Sequence, residues 1–96
     1  MVKHIVCYKL TDNSEEKKNE TANVILSMKD KIPMLKSLEV GTDFFCSDRS
    51  FDVALIATFE NRDDYDKYLE DEYHKNVVMA HTHSVACKNV IVDFDI

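Results

Sequence analysis

SDRSFDVALIATFENRDDYDKYLEDEYH, residues 47–74, joins an apolar strand to an amphipathic helix. Residues 51–59 alternate with the period of a β-strand, and apolar side chains occupy both of its faces. Asn61 is a good N-cap for a helix over 62–71 that carries Tyr68, and His74 follows six residues after that tyrosine. We therefore expect a buried strand, a helix and two proton-transferring side chains in close succession.

Further strands and helices extend this unit in both directions. Residues 3–10 alternate as a first strand, in which His4 shares a face with the apolar side chains. The pattern then predicts a helix over 15–31 that ends before Pro33. Residues 35–45 are predicted to contain a strand in which Gly41 indicates a bulge or bend. A short helix is predicted over 75–80 and a last strand over 85–96. The order β-α-β-β-α-β predicts a ferredoxin-like α+β fold, an antiparallel four-stranded sheet with two helices on one face.

The strands are apolar on both faces, whereas two helices can cover only one face of the sheet. Val6 and Ile5 illustrate this in the first strand, and Leu55 and Ile56 in the third. A strand with one face in water should instead alternate apolar with polar residues. The simplest way to bury the uncovered face is a second copy of the sheet, packed face to face about a two-fold axis. We therefore predict a homodimer that associates through its sheet faces.

Length and composition describe one globular domain over residues 1–96. The formal net charge is −6, which argues against nucleic acid and anionic membranes as partners because both require a basic surface. No apolar run approaches the roughly 18 residues of a membrane span. The three cysteines show no CxxC spacing, so a reducing compartment is indicated and we expect a cytoplasmic protein.

Several segments, taken in order, resemble the stress-responsive A/B barrel (Dabb) family of dimeric α+β barrel proteins. They are VKHIV at 2–6, SLEVG at 37–41, SDRSFDVALIATFE at 47–60, the spacing of Tyr68 and His74, and VIVDFDI at 90–96. The resemblance covers nearly the whole chain and implies ferredoxin-like protomers whose sheets form a barrel in the dimer. Many members of this family have no assigned activity, so the resemblance implies a protein of unassigned role.

The same resemblance suggests site residues. One family member, the plant olivetolic acid cyclase, closes a polyketide ring by aldol condensation with a Tyr and a His as its acid–base pair. The resemblance implies those catalytic roles for Tyr68 and His74, and it implies that His4 lies in the same pocket. Val53 stands where that cyclase has a further pocket histidine. The implied ligand-binding set is therefore His4, Val53, Tyr68 and His74.

Three functions remain open at this point. In the first, a pocket between sheet and helices binds a small apolar ligand. In the second, neutral His74 removes a proton α to a carbonyl while the Tyr68 hydroxyl donates to the developing oxyanion, and no cofactor is required. In the third, these side chains only brace the fold of an interaction module. Whether the chain is an enzyme therefore stays open.

A separate pair of histidines, His81 and His83, forms an HxH motif. Two neutral imidazoles are common metal ligands, but a site usually needs three or four ligands with supporting contacts. We therefore expect a solvated segment here and predict no metal site.

Overall fold

The computed structural model describes all residues from Met1 to Ile96. Four strands and three α-helices follow one another, with a 3₁₀ turn and a π-helical segment between them. In chain order they are β1 (Val2–Leu10), α1 (Glu15–Leu26), the 3₁₀ turn (Ser27–Asp30), β2 (Ser37–Thr42), β3 (Val53–Phe59), α2 (Arg62–Glu70), the π-helical segment (His74–Met79), α3 (Ala80–Val85) and β4 (Ala86–Asp95). The strands form one antiparallel sheet in the order β2-β3-β1-β4. The predicted ferredoxin-like α+β fold is confirmed.

The sheet is covered by more helix than the predicted pair, because a third helical run follows α2. The π-helical segment and α3 form one helical run, longer than the short helix predicted over 75–80. His74, Val78 and Thr82 recur every fourth residue and are buried together, so they form a helical stripe against the rest of the molecule. Only one of these three side chains is aliphatic, which hides the helical period in the sequence.

Strand and helix boundaries also differ from the predictions. The α-helical part of the first helix ends at Leu26, and the chain then tightens into the 3₁₀ turn before Pro33. β2 is six residues long and pairs with β3 without a register shift, so the bulge predicted at Gly41 is absent. β3 begins at Val53, two residues later than predicted, and the carboxylate of the preceding Asp52 accepts a hydrogen bond of 2.7 Å from the Leu10 backbone N–H.

The core lies between the helices and one face of the sheet. β1 buries every second side chain on this face, from Val2 through Val6 to Leu10. Phe59 from β3 and Ile25 from α1 are fully buried in the same cluster. The helix starts are held by side chains, since the Ser14 hydroxyl accepts from the backbone N–H of residue 17 and the Asn61 amide oxygen accepts from that of residue 64.

The opposite face of the sheet carries an apolar stripe that no helix covers. The pairing register places Ile56, Ile5 and Val92 side by side across β3, β1 and β4. In the single chain Val92 is 58% exposed and Phe94 is 42% exposed. No helix of the protein has the length and apolar character needed to cross a membrane. The outer face of the sheet therefore leaves several apolar side chains exposed in the single chain.

Candidate functional site

A cavity of about 510 Å³ opens between the helices and the β1–β4 side of the sheet. Its walls come from β1, β4, α2, the π-helical segment and α3, and most of the exposed wall is apolar. His4, Tyr68 and His74 all line it, so the fold brings together three of the four residues suggested by the sequence. Val53 does not belong to this cavity: it is 2% exposed and packs in the core cluster. Its position on the inner face of β3, a central strand, explains why it is sealed from the cavity.

Tyr68 lies between the two histidines. Its ring centroid is 4.1 Å from that of His74 and 5.8 Å from that of His4. Tyr68 is placed by packing, because its ring also contacts Phe59 at 4.9 Å between centroids. Burial raises the pKa of the Tyr68 hydroxyl well above its usual value, with further increases from neighbouring tyrosines and carboxylates. The hydroxyl is therefore a neutral hydrogen-bond donor at physiological pH.

His74 begins the π-helical segment directly after the turn that ends α2. Its backbone N–H donates a hydrogen bond of 3.1 Å to the Asp71 carboxylate, which holds the start of the segment. The side chain is 9% exposed, and its Nδ1 atom is buried without a hydrogen-bond partner. Burial, followed by the positive charge that His4 can carry, lowers the pKa of His74 to about 4. His74 is therefore a neutral imidazole at physiological pH.

His4 is held by Asp93 and Tyr65, two residues that the sequence pattern does not assign to the site. Its Nδ1 contacts the Asp93 carboxylate of β4, and the Tyr65 hydroxyl of α2 donates to the other Asp93 oxygen at 3.0 Å. The Tyr65 oxygen also lies 3.4 Å from His4 Nδ1. Burial, and then the hydrogen bond to Asp93, raises the pKa of Tyr65 to about 12.

The sequence contains a weak indication for each of these two residues. Asp93 lies on the face of the last strand that points toward the helices, next to Ile91, and its Cα partner across β1 is His4. Tyr65 precedes Tyr68 by three residues on α2, which puts both rings on one side of that helix. A charged residue on the inner face of a strand usually has a partner, because an unpaired buried charge is costly.

The HxH pair is split between two environments. The ring Nε2 of His81 lies 3.2 Å from the Thr21 hydroxyl of α1, whereas His83 lines the cavity. Positions two apart on a helix point in different directions, so α3 cannot present both rings to one ion. No group of three or more His, Cys, Asp or Glu side chains could hold a metal ion.

The arrangement combines a cavity whose exposed wall is mostly apolar with a polar cluster formed by His4, Tyr68 and His74. The Tyr68 hydroxyl can donate to a carbonyl oxygen, and the rings of His4 and His74 carry nitrogens that can form hydrogen bonds. Lys75 and Asn89 add polar groups to the lining. This pattern is typical of cavities that orient one polar end of an otherwise apolar small molecule.

Comparison with known proteins identifies the family. The sequence model of the Stress Responsive A/B Barrel Domain, Dabb, matches residues 2–96. The chain belongs to the Dabb family. Several similar structures are described as dimeric ferredoxin-like proteins of unknown function, so membership establishes the fold and assigns no specific role. The comparison with curated protein sequences finds no match.

Three solved structures illustrate the similarity. A dimeric protein of unknown function from Bacteroides fragilis is 27% identical, with a TM-score of 0.83 and coverage of 99% of this chain and 95% of that chain. An Arabidopsis thaliana protein is 19% identical, with a TM-score of 0.85 and coverage of 100% and 95%. Hydroxynitrile lyase from Passiflora edulis is 20% identical, with a TM-score of 0.83 and coverage of 99% and 92%. The last two similarities concern the fold alone.

Proposed function

We propose that this Dabb protein is a homodimer in which each protomer binds one small, mainly apolar molecule through a polar oxygen. The proposal rests above all on the cavity of about 510 Å³, whose polar groups converge at Tyr68. Cavities of roughly 300–1,000 Å³ are of the size that holds small molecules. We also propose a cytoplasmic location, because three free cysteines suit a reducing compartment.

The uncovered apolar stripe supports the homodimer. A second copy of the same sheet matches the stripe in shape and apolar character. A two-fold arrangement packs the stripe of one protomer against the same stripe of its partner. Similar structures of this fold are described as dimeric. The face opposite the cavity is used for association, so both cavities of the dimer stay open to ligand.

A charge placed in the stripe tests the homodimer. We expect Val92→Asp to raise the dimer dissociation constant by about 100-fold or more, because an unpaired carboxylate is costly to bury. Val77→Asp is the matched control, since Val77 is 40% exposed on the helical side of the molecule. Sedimentation velocity at micromolar protein distinguishes the two variants. A wild-type protein that sediments as a monomer would refute the dimer.

Ligand binding is tested with a panel of small aromatic and aliphatic ketones by ligand-observed NMR. Ala80→Trp should abolish binding by filling part of the cavity, because Ala80 belongs to its lining. Ser84→Trp is the control, one helical turn away on α3 and outside that lining. Binding that survives Ala80→Trp unchanged would place the ligand elsewhere and overturn the proposal.

A second candidate function is acid–base chemistry at the same cavity. The observation that favours it is the 4.1 Å separation of the Tyr68 and His74 rings, both of which line the cavity. His74 would remove a proton α to a carbonyl, and Tyr68 would donate to the enolate oxygen. A base with a pKa of about 4 is weak at neutral pH, so binding without chemistry ranks first.

Deuterium exchange tests this second candidate. A ketone bound by the wild-type protein is incubated in D₂O, and exchange at the carbon next to its carbonyl is followed by NMR. We expect His74→Ala to remove any exchange that the protein accelerates. Retained exchange in His74→Ala would refute the base, whereas retained exchange in Tyr68→Phe would refute only the donor role.

A further inference from the structure

We infer that Asp93 and Tyr65 are positioning residues that hold His4 with a proton on Nδ1, so that Nε2 is the nitrogen whose lone pair faces a ligand hydroxyl in the cavity. The ligand part of this inference rests on the binding function proposed above. The tautomer of His4 does not depend on that function, because it follows from contacts within the chain.

The position of the proton follows from the hydrogen-bond capacity of each group. An ionised carboxylate only accepts hydrogen bonds, so the His4 nitrogen that contacts Asp93 must carry the proton. Tyr65 has a single hydroxyl proton, which it donates to the second Asp93 oxygen at 3.0 Å. That hydrogen bond holds one Asp93 oxygen, so that the other oxygen stays directed at His4. In a neutral imidazole one nitrogen carries the proton, and the bond made by that nitrogen selects the tautomer.

The fold makes this arrangement specific to His4. The β1–β4 register sets His4 opposite Asp93, and α2 brings Tyr65 over both of them, with its ring centroid 5.2 Å from that of His4. The His4 side chain is 7% exposed and the Asp93 side chain 37%, so the imidazole is enclosed while one side of the carboxylate reaches solvent. The imidazole is therefore fixed from two elements and has little freedom to turn.

The free nitrogen of His4 faces open space rather than the packed core. Both hydrogen-bonding contacts of the ring use Nδ1, which leaves Nε2 unused. The buried side-chain atoms that lack a partner are Thr58 Oγ1 and His74 Nδ1, so Nε2 is not sealed in the core. Because His4 lines the cavity, the cavity is the space that Nε2 can reach.

This geometry narrows the class of ligand. His4 Nε2 accepts a hydrogen bond, and the Tyr68 hydroxyl, on a ring 5.8 Å away, donates one. A matching molecule carries a hydroxyl and a carbonyl on one small, otherwise apolar skeleton, as a hydroxyaryl ketone does. A molecule whose hydroxyl is methylated lacks the donor and leaves Nε2 unpaired.

The first experiment measures the tautomer in the ligand-free protein. Long-range ¹H–¹⁵N correlation spectra of ¹⁵N-histidine-labelled protein at pH 7.5 distinguish a protonated nitrogen from one with a lone pair. We expect His4 to show a protonated Nδ1 and an unprotonated Nε2. A wild-type spectrum with the His4 proton on Nε2 would overturn the inference without any variant.

Variants then identify what holds the tautomer. Asp93→Ala should shift His4 to the Nε2-protonated form or to a mixture, and Tyr65→Phe should move it in the same direction by less. Asp95→Ala is the matched control, because Asp95 lies two residues further along β4 and pairs with the exposed Arg62 instead. An unchanged His4 spectrum in a folded Asp93→Ala protein would refute the role of Asp93. If that variant does not fold, Asp93→Asn serves in its place, since its amide can donate to Nδ1 and should produce a mixture.

A pair of probes tests the consequence for binding. We expect 3-hydroxyacetophenone to bind about 3- to 10-fold more tightly than 3-methoxyacetophenone, the value of one hydrogen bond. Asp93→Ala should remove this preference, and Asp95→Ala should keep it. Equal affinities in the wild type would refute the acceptor role of Nε2. If neither probe binds while His4 keeps its proton on Nδ1, the proposed binding function fails for this ligand class and the positioning role of Asp93 stands.

Discussion

Lowering the pH should destabilise this protein through His74. The folded protein lowers the pKa of His74 from its ordinary value of 6.5 to about 4, chiefly by burial and next by the charge of His4. Lys75 acts in the same direction, and Asp71 opposes them. Between these two pKa values the unfolded chain binds a proton that the folded protein excludes. The free energy of unfolding therefore rises with pH across this window. The contribution that depends on neutral His74 is complete above pH 6.5 and is lost as the pH falls toward 4.

The size of the effect follows from the difference between the two pKa values. One pKa unit corresponds to about 1.4 kcal/mol, so the free energy of unfolding should fall by about 2 kcal/mol from pH 7.5 to pH 5, and by about 3 kcal/mol at pH 4. Against a total stability of roughly 5–15 kcal/mol, this loss is large enough to measure by urea denaturation.

The measurement compares the wild type with His74→Gln at several pH values and at one fixed protein concentration. Carboxylates titrate in the same range, but their contribution is shared by both proteins and disappears in the difference. We expect the stability of the wild type to fall more steeply with acidification than that of the variant. A His74 that titrates near pH 6.5 by NMR, or equal pH dependence in the two proteins, would show that the reasoning about burial is wrong.

Three further substitutions have defined outcomes. Asp52→Ala should lower the free energy of unfolding by about 1–3 kcal/mol in urea, because the buried Leu10 N–H loses its acceptor at 2.7 Å. Asn61→Ala should cost about 1 kcal/mol, because its amide oxygen caps α2 by accepting from the Asp64 N–H at 2.9 Å; unchanged stability would mean that water replaces the cap. Tyr68→Phe should change the free energy of unfolding by less than about 0.5 kcal/mol, because the Tyr68 hydroxyl makes no hydrogen bond within the protein. The same substitution should weaken ketone binding. Equal ketone affinities for Tyr68→Phe and the wild type, by NMR titration, would remove the hydroxyl from the binding site.

The π-helical segment and α3 show where local pattern fails. A helix is recognised by an apolar stripe, and here the stripe consists of His74, Val78 and Thr82. The polar members are buried because the rest of the molecule packs against them. This packing cannot be predicted from the residues next to them in sequence. The absent bulge at Gly41 has a similar origin, because the regular register of β2 against β3 depends on both strands at once.

The alternation of side chains along the strands is sufficient to predict the architecture. A period of two residues assigns inner and outer faces to β1 and β3 independently of any partner, and apolar residues on both faces predict a second covered surface. Local signals also place Tyr68 and His74 next to each other, since they are close along the chain. The union of His4 with Asp93 is different, because 89 residues separate them and only the β1–β4 register sets them opposite each other. Tyr65 joins them only once α2 has packed on the sheet. Short-range periodicity therefore specifies the elements and their faces, whereas the polar end of the cavity exists only after distant strands have paired and a helix has docked across them.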